Sequence, residues 1–141
     1  MGTRRKSGRK KAATPRLSYG VQNGTRLFIA DNSGAKIVQI IGVDHYKGRQ
    51  RRLPKATLGS IVTVSVKKGR PELRGNIMKC VIVRQKQIVR RLDGTRLCFE
   101  DNAGVLVTKE GEPKGTEIRG PIAREAAEAF PRLASISSLI V

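Results

Sequence analysis

A chain of 141 residues with 38% hydrophobic content suits one domain with one modest core and excludes a multidomain enzyme. Lys and Arg number 29 against 11 Asp and Glu, leaving a formal charge of +18 that repels itself unless a polyanion neutralises it; nucleic acid is the commonest such partner, ahead of acidic substrates and membranes. No apolar run is longer than four residues, which excludes a transmembrane helix, and no membrane partner is expected.

The charge is partitioned along the chain. Residues 1–16 hold seven basic residues and no acid, 47–91 hold fourteen against Glu72 alone, and 97–141 reverse the balance with five basic and seven acidic. One part of the molecule is therefore expected to face phosphate and another not. Residues 1–24 mix Gly, Ser, Thr and Pro with Arg4, Arg5, Lys6, Arg9, Lys10 and Lys11, and offer nothing that forms a core. They read as a basic extension ordered only on binding. They lack the apolar stretch of a secretory signal, and Ala12, Ala13 and Leu17 make no amphipathic stripe.

From Arg26 the character changes. Leu27, Phe28 and Ile29 run into the turn Asp31-Asn32-Ser33-Gly34, and Ile37 to Val43 forms a second β-rich run, so the pair reads as a hairpin. A polar loop follows, carrying Lys47, Arg49, Arg51, Arg52 and Lys55 around Pro54. Ser60 to Val66 alternates, with Val62, Val64 and Val66 on one face, as in a half-buried strand. The stretch Lys67 to Gly75 holds a proline and two glycines between strand-like runs and predicts a projecting hairpin loop that carries Lys67, Lys68, Arg70 and Arg74. Ile77 to Val83 is a further strand. After a basic segment with Arg84, Lys86, Arg90 and Arg91, Asp93-Gly94 turns the chain into Arg96 to Phe99. Glu100 to Gly104 turns it again into Val105 to Thr108, so a D-N-x-G turn occurs twice.

Beyond the loop 110–120 the period switches. Ile122, Ala123, Ala126, Ala127 and Phe130 predict one short helix that begins at Pro121 and is stopped by Pro131. The tail Ile136, Leu139, Ile140 and Val141 is expected to be covered. Five or six short strands at close spacing, then a helix, predict a mainly β fold: a small closed barrel over residues 25–141, with a projecting hairpin and a helical C-terminal appendage from about residue 121.

Catalytic chemistry has little to work with. The single histidine, His45, has no second ligand beside it, and no nucleophile elbow, P-loop or dinucleotide fingerprint occurs. Cys80 and Cys98 are 18 apart without a C-x-x-C and read as core thiols, so neither a metal nor another cofactor is expected. Phe28, Phe99 and Phe130 are expected in the core, leaving Tyr46 as the plausible ring for base stacking. A charge run is commonly a solvated face, but three loops with one acid among them favour contact with RNA phosphates and folded RNA shape. A free OB-like single-strand binder shares the barrel and the charge but calls for exposed aromatics; a small RNA-modifying enzyme calls for a pocket of titratable groups.

The runs Ile29 to Lys36, Val81 to Gln85, Arg91 to Val107 and Gly115 to Glu125 closely resemble the family of universal large-subunit ribosomal protein number fourteen, in unbroken order over roughly residues 25–141. The loop 47–55, the K-K-G-R-P-E-L-R stretch and the longer basic start resemble its archaeal and eukaryotic branch, and Glu117 stands where bacterial members usually have Arg. The resemblance implies a five-stranded β-barrel with small C-terminal helices, in a structural, non-enzymatic protein of the cytoplasmic ribosome that binds large-subunit rRNA at the subunit interface. It also implies bridges to small-subunit rRNA, neighbours in ribosomal proteins number three and the archaeal and eukaryotic-type number twenty-four, and a C-terminal side that docks a subunit anti-association factor. Thr116, Glu117 and Arg119 are the candidate docking residues on that weakly acidic side.

Overall fold

Strand alternation and two asparagine-containing turns decide how the chain closes on itself. The computed structural model describes residues 17–141, so the expectations for Arg4, Arg5, Lys6, Arg9, Lys10 and Lys11 fall outside the described residues. In chain order the elements are β1 (Val21–Gln22), β2 (Arg26–Ile29), β3 (Ala35–Val43), β4 (Lys55–Ala56), β5 (Ile61–Gly69), β6 (Ile77–Arg84), β7 (Val89–Arg90), β8 (Arg96–Leu97), β9 (Ala103–Val107), β10 (Ile118–Ile122), α1 (Arg124–Ala129), α2 (Pro131–Ile136) and β11 (Ser137–Ile140). Strands β2, β3, β5, β6 and β9 form the closed barrel that the pattern predicts. All its pairings are antiparallel except the seam β2–β9, which is parallel and short, Phe28 opposite Ala103 and Ile29 opposite Gly104.

Val62, Val64 and Val66 point into the barrel, where they meet Leu27, Val38, Ile40, Cys80, Ile82 and Leu106. Each fully buried aliphatic side chain there contributes about 1.5–3 kcal/mol relative to exposure. The outer face of β6 and β9 is buried as well: Val81, Val83, Ala103, Val105 and Val107 lie beneath Ile118, Ile122, Ala126, Ala127 and Leu133. Strand β9 thus has no wet face, which is why it reads as a continuous apolar run without period two. Gly104 stands against the barrel interior, where a Cβ would overlap the Cys80 sulfur.

Several expectations are corrected. Residues 17–24 belong to the fold: Val21 is buried, and β1 pairs with β4. Phe28 is 55% exposed, because in a four-residue strand Leu27 takes the inward position and its neighbour faces out. The helical appendage comprises two short helices, where the periodicity alone marked one. Pro121 lies in β10 and not at a first helical position; Pro131 ends the first run, α1 closing at Ala129, and also opens α2 at a first-turn position where its missing N–H costs nothing. The C-terminal tail is a strand, β11, parallel to β10, with Leu139 and Ile140 exposed. Lys67 and Lys68 lie on β5 rather than in the loop beyond it.

Cys80 is buried, but Cys98 is exposed, its two-residue neighbour β8 being too short to cover it. Burial, reinforced by the nearby Asp31 charge, pushes the Cys80 thiol far up. A thiol titration of the folded protein with Ellman's reagent is expected to count one rapid group, Cys98, and to gain the second only in denaturant. Rapid loss of two thiols under native conditions would place Cys80 outside the barrel.

Candidate nucleic-acid interface

In the antiparallel pair β3–β5, Val43 lies opposite Val62 and Ala35 opposite Gly69. The loop after β3 and the turn after β5 therefore sit at opposite ends of the barrel. At the first end, Lys47, Arg49, Arg51, Arg52 and Lys55 are all exposed, on a loop anchored at both its roots. Asp44 is held by Lys79, whose Nζ donates to its two carboxylate oxygens at 2.6 and 2.8 Å and to Thr63 Oγ1 at 2.9 Å. At the far root Asn23 N donates to the Pro54 carbonyl, and Gln22 pairs with Lys55. His45 and Arg51 adopt left-handed φ values of 58° and 63°. A bulky cation held in that region is strained by about 1–2 kcal/mol, so the loop's shape is set by its anchors rather than by local preference.

The segment after β6 joins this same end, since the later half of β6 pairs with the start of β5. Lys86 and Arg90 are exposed there. Arg84 and Arg91 are not free. Arg84 forms an ion pair with Asp101 at 3.1 Å and donates to the Arg119 carbonyl, stitching the second D-N-x-G turn to β10. Arg91 donates to Glu125 at 2.9 and 3.2 Å and to the Val141 carbonyl at 2.6 Å, tying α1 and the last residue to the β7–β8 hairpin. The Glu125 carboxylate pushes the Arg91 guanidinium further up, keeping it charged in this half-dry position. The spacing of basic residues carried no sign of this, because the acids that claim both guanidiniums are distant in sequence.

At the opposite end stand Lys67, Lys68, Arg70 and Arg74, all exposed around a compact turn. Arg70 N donates to the Gly34 carbonyl, and its side chain lies over Gly34, where only a glycine leaves room and tolerates φ of 103°. The hairpin is thereby fastened to the first D-N-x-G turn. Asn32 of that turn fastens the C-terminal loop in its place: its Oδ1 accepts from Thr116 N at 2.9 Å and Glu117 N at 3.4 Å, and its Nδ2 donates to Thr116 Oγ1 at 2.8 Å. The Thr116 hydroxyl thus accepts from Asn32, and the Thr116, Glu117 and Arg119 side chains are exposed. Arg26 and Lys36, isolated cations on β2 and β3, are also exposed and have no neighbouring basic residue in sequence that would have drawn attention to them.

Among the described residues, no three His, Cys, Asp or Glu side chains are placed to hold a metal ion, and no helix is long and apolar enough to cross a membrane. Fold and charge together define a class, the small closed β-barrels whose rims carry clustered cations instead of a catalytic constellation. The family model described as ribosomal protein L14p/L23e matches residues 20–141. The chain belongs to that family, as a structural, non-enzymatic protein of the large ribosomal subunit in the cytoplasm. It is 53% identical to the large ribosomal subunit protein uL14 of Sulfurisphaera tokodaii, over 95% of this chain and 94% of that one. It is 52% identical to that of Thermofilum pendens over 89% of each, and 51% identical to that of Methanoregula boonei over 94% and 98%. These archaeal relatives agree with the branch suggested by the loop 47–55 and the longer start.

Proposed function

We propose that this protein binds large-subunit rRNA at the subunit interface through its exposed cations, contributes to bridges with small-subunit rRNA, and docks protein partners on its C-terminal side. The observation that carries the reading is the loop 47–52: four exposed cations, Arg51 among them on left-handed backbone, fixed at both roots and free of acidic partners among the described residues. Lys55, Lys86, Arg90, Lys67, Lys68, Arg70 and Arg74 extend the same surface to both barrel ends. Arg84 and Arg91 hold the fold together and are left out of it. The proposed protein neighbours are ribosomal proteins number three and the archaeal and eukaryotic-type number twenty-four, with a subunit anti-association factor on the exposed side of the loop 115–119. Co-sedimentation with large subunits through a high-salt wash, followed by footprinting of the bound rRNA, tests the assignment; release of the protein with no protected nucleotides would sink it.

The docking side makes a separate prediction. Glu117 and Arg119 are exposed on a loop whose backbone is fixed by Asn32, so exchanging their charges leaves the loop in place. The double variant Glu117→Lys with Arg119→Glu is expected to weaken an anti-association factor at least tenfold while changing rRNA affinity less than twofold, because like charges across an interface repel and specificity follows their placement. Collapse of rRNA affinity with partner binding intact would show that the two surfaces are assigned the wrong way round.

A further inference from the structure

We propose that Tyr19 and Lys55 form a binding site for one unpaired RNA nucleotide, the tyrosine ring stacking on the base and the lysine ammonium meeting its phosphate. This subsite rests on the reading of the surrounding basic end as an RNA surface.

Tyr19 is 47% exposed, yet the backbone on either side of it is pinned to the barrel. The Ser18 carbonyl accepts from Gln85 Nε2 at 2.9 Å and from Thr57 Oγ1 at 2.8 Å, and Gly20 N donates to the Ala56 carbonyl at 3.1 Å. Gln85 is wholly buried, and a buried amide is costly unless its hydrogen bonds are made; this one makes them by holding the segment that carries the ring. Gly20 leaves the space for it, since a Cβ there would sit 2.8 Å from the Gln85 Cδ and Oε1. An aromatic side chain offered to solvent from so rigid a base loses little entropy when something stacks on it.

Lys55 Nζ lies 4.8 Å from the centre of the Tyr19 ring. The ammonium lies over one face of the ring, which leaves the other face for a base, and it supplies one positive charge beside the ring for that nucleotide's phosphate. Tyr19, Gly20, Val21, Gln22, Thr25 and Lys55 line an open cleft of about 270 Å³. Arg51 and Arg52 are exposed on the loop that leads into Lys55, and the nearest acid on that loop's root, Asp44, is already claimed by Lys79. A polyanion fits this setting, because among the described residues the ring has cations and no free acid beside it.

The chain has two tyrosines and no tryptophan, so one substitution isolates the reporter. In full-length Tyr46→Phe protein labelled with 3-fluorotyrosine, an adenosine RNA decamer at low salt is expected to shift the single Tyr19 fluorine resonance upfield, saturably, as a stacked base must. Tyr19→Ala is expected to weaken the decamer five- to a hundredfold, while Tyr19→Phe, which keeps the ring, retains affinity. Lys55→Gln is expected to weaken it and to make the salt slope shallower by about one. Thermal midpoints should stay unchanged, because the ring covers no core. A decamer that binds Tyr19→Ala as tightly as the parent, or that saturates without moving the Tyr19 resonance, overturns the clamp. If the Lys47, Arg49, Arg51 and Arg52 variant then still loses affinity, only the clamp has failed; if the parent binds neither decamer nor rRNA, the RNA surface has failed with it.

Discussion

Replacing Lys47, Arg49, Arg51 and Arg52 together by glutamine is expected to cost about two to three orders of magnitude in affinity for isolated large-subunit rRNA near physiological salt. Each phosphate neutralised releases condensed counterions and adds about −0.7 to −0.9 to the slope of log K against log salt. About eight such contacts give the parent protein a slope of roughly −6 to −7, and losing four makes it shallower by about three. The fold is expected to survive, because all four side chains are exposed and the anchors Asp44–Lys79 and β1–β4 lie outside the substitution. Filter binding at a series of salt concentrations, beside thermal unfolding, provides both numbers. An unchanged slope with an unchanged midpoint would make the loop a solvated face, and a parent slope shallower than about −2 would contradict phosphate-dominated binding altogether.

Asp31→Ala is expected to destabilise the barrel by about 3 kcal/mol, a fall of roughly 10–15 °C in midpoint for a domain of this size. The parallel seam β2–β9 is only two residue pairs long, so the N–H of Leu106 finds no strand beyond it. The Asp31 carboxylate, buried at 6% exposure, takes that role: one oxygen accepts from Leu106 N at 3.1 Å, the other from Ser33 N at 3.1 Å and Ser33 Oγ at 2.5 Å. Alanine leaves the Leu106 donor dry and unpaired, which costs more than the bond itself contributes. Asp31→Asn, which keeps an acceptor but loses the charge, is expected to fall between the two. Denaturant melts of the three proteins decide it; a loss below about 1 kcal/mol in Asp31→Ala would show that the seam closes without the carboxylate.

The first D-N-x-G turn was legible as a turn and nothing more. Its Asp reaches across the barrel seam and its Asn across to Thr116, contacts separated by about eighty residues that no local pattern encodes. The second such turn reads the same way, yet Asp101 binds Arg84 and Asn102 accepts from Lys86 N. Among the candidate RNA contacts, local charge density selected the exposed loop 47–55 and also two guanidiniums that serve the fold. It passed over Tyr19, because a ring beside a flexible-looking basic start gives no sign of the buried Gln85 beneath it.

What the sequence by itself determined was the local and the collective: alternation set the inward face of β5, glycine and proline set the turns, and the net charge set the expectation of a polyanionic partner. These follow from period, backbone freedom and Coulomb repulsion, which act over a few residues or over the whole chain. Tertiary structure alone decided which apolar residues go uncovered, as with Phe28 and Leu139, that a second helix follows the one Pro131 ends, and how the cations divide between two ends of one barrel. Each depends on which strand lies beside which, and strand order is fixed by packing between residues far apart in the chain.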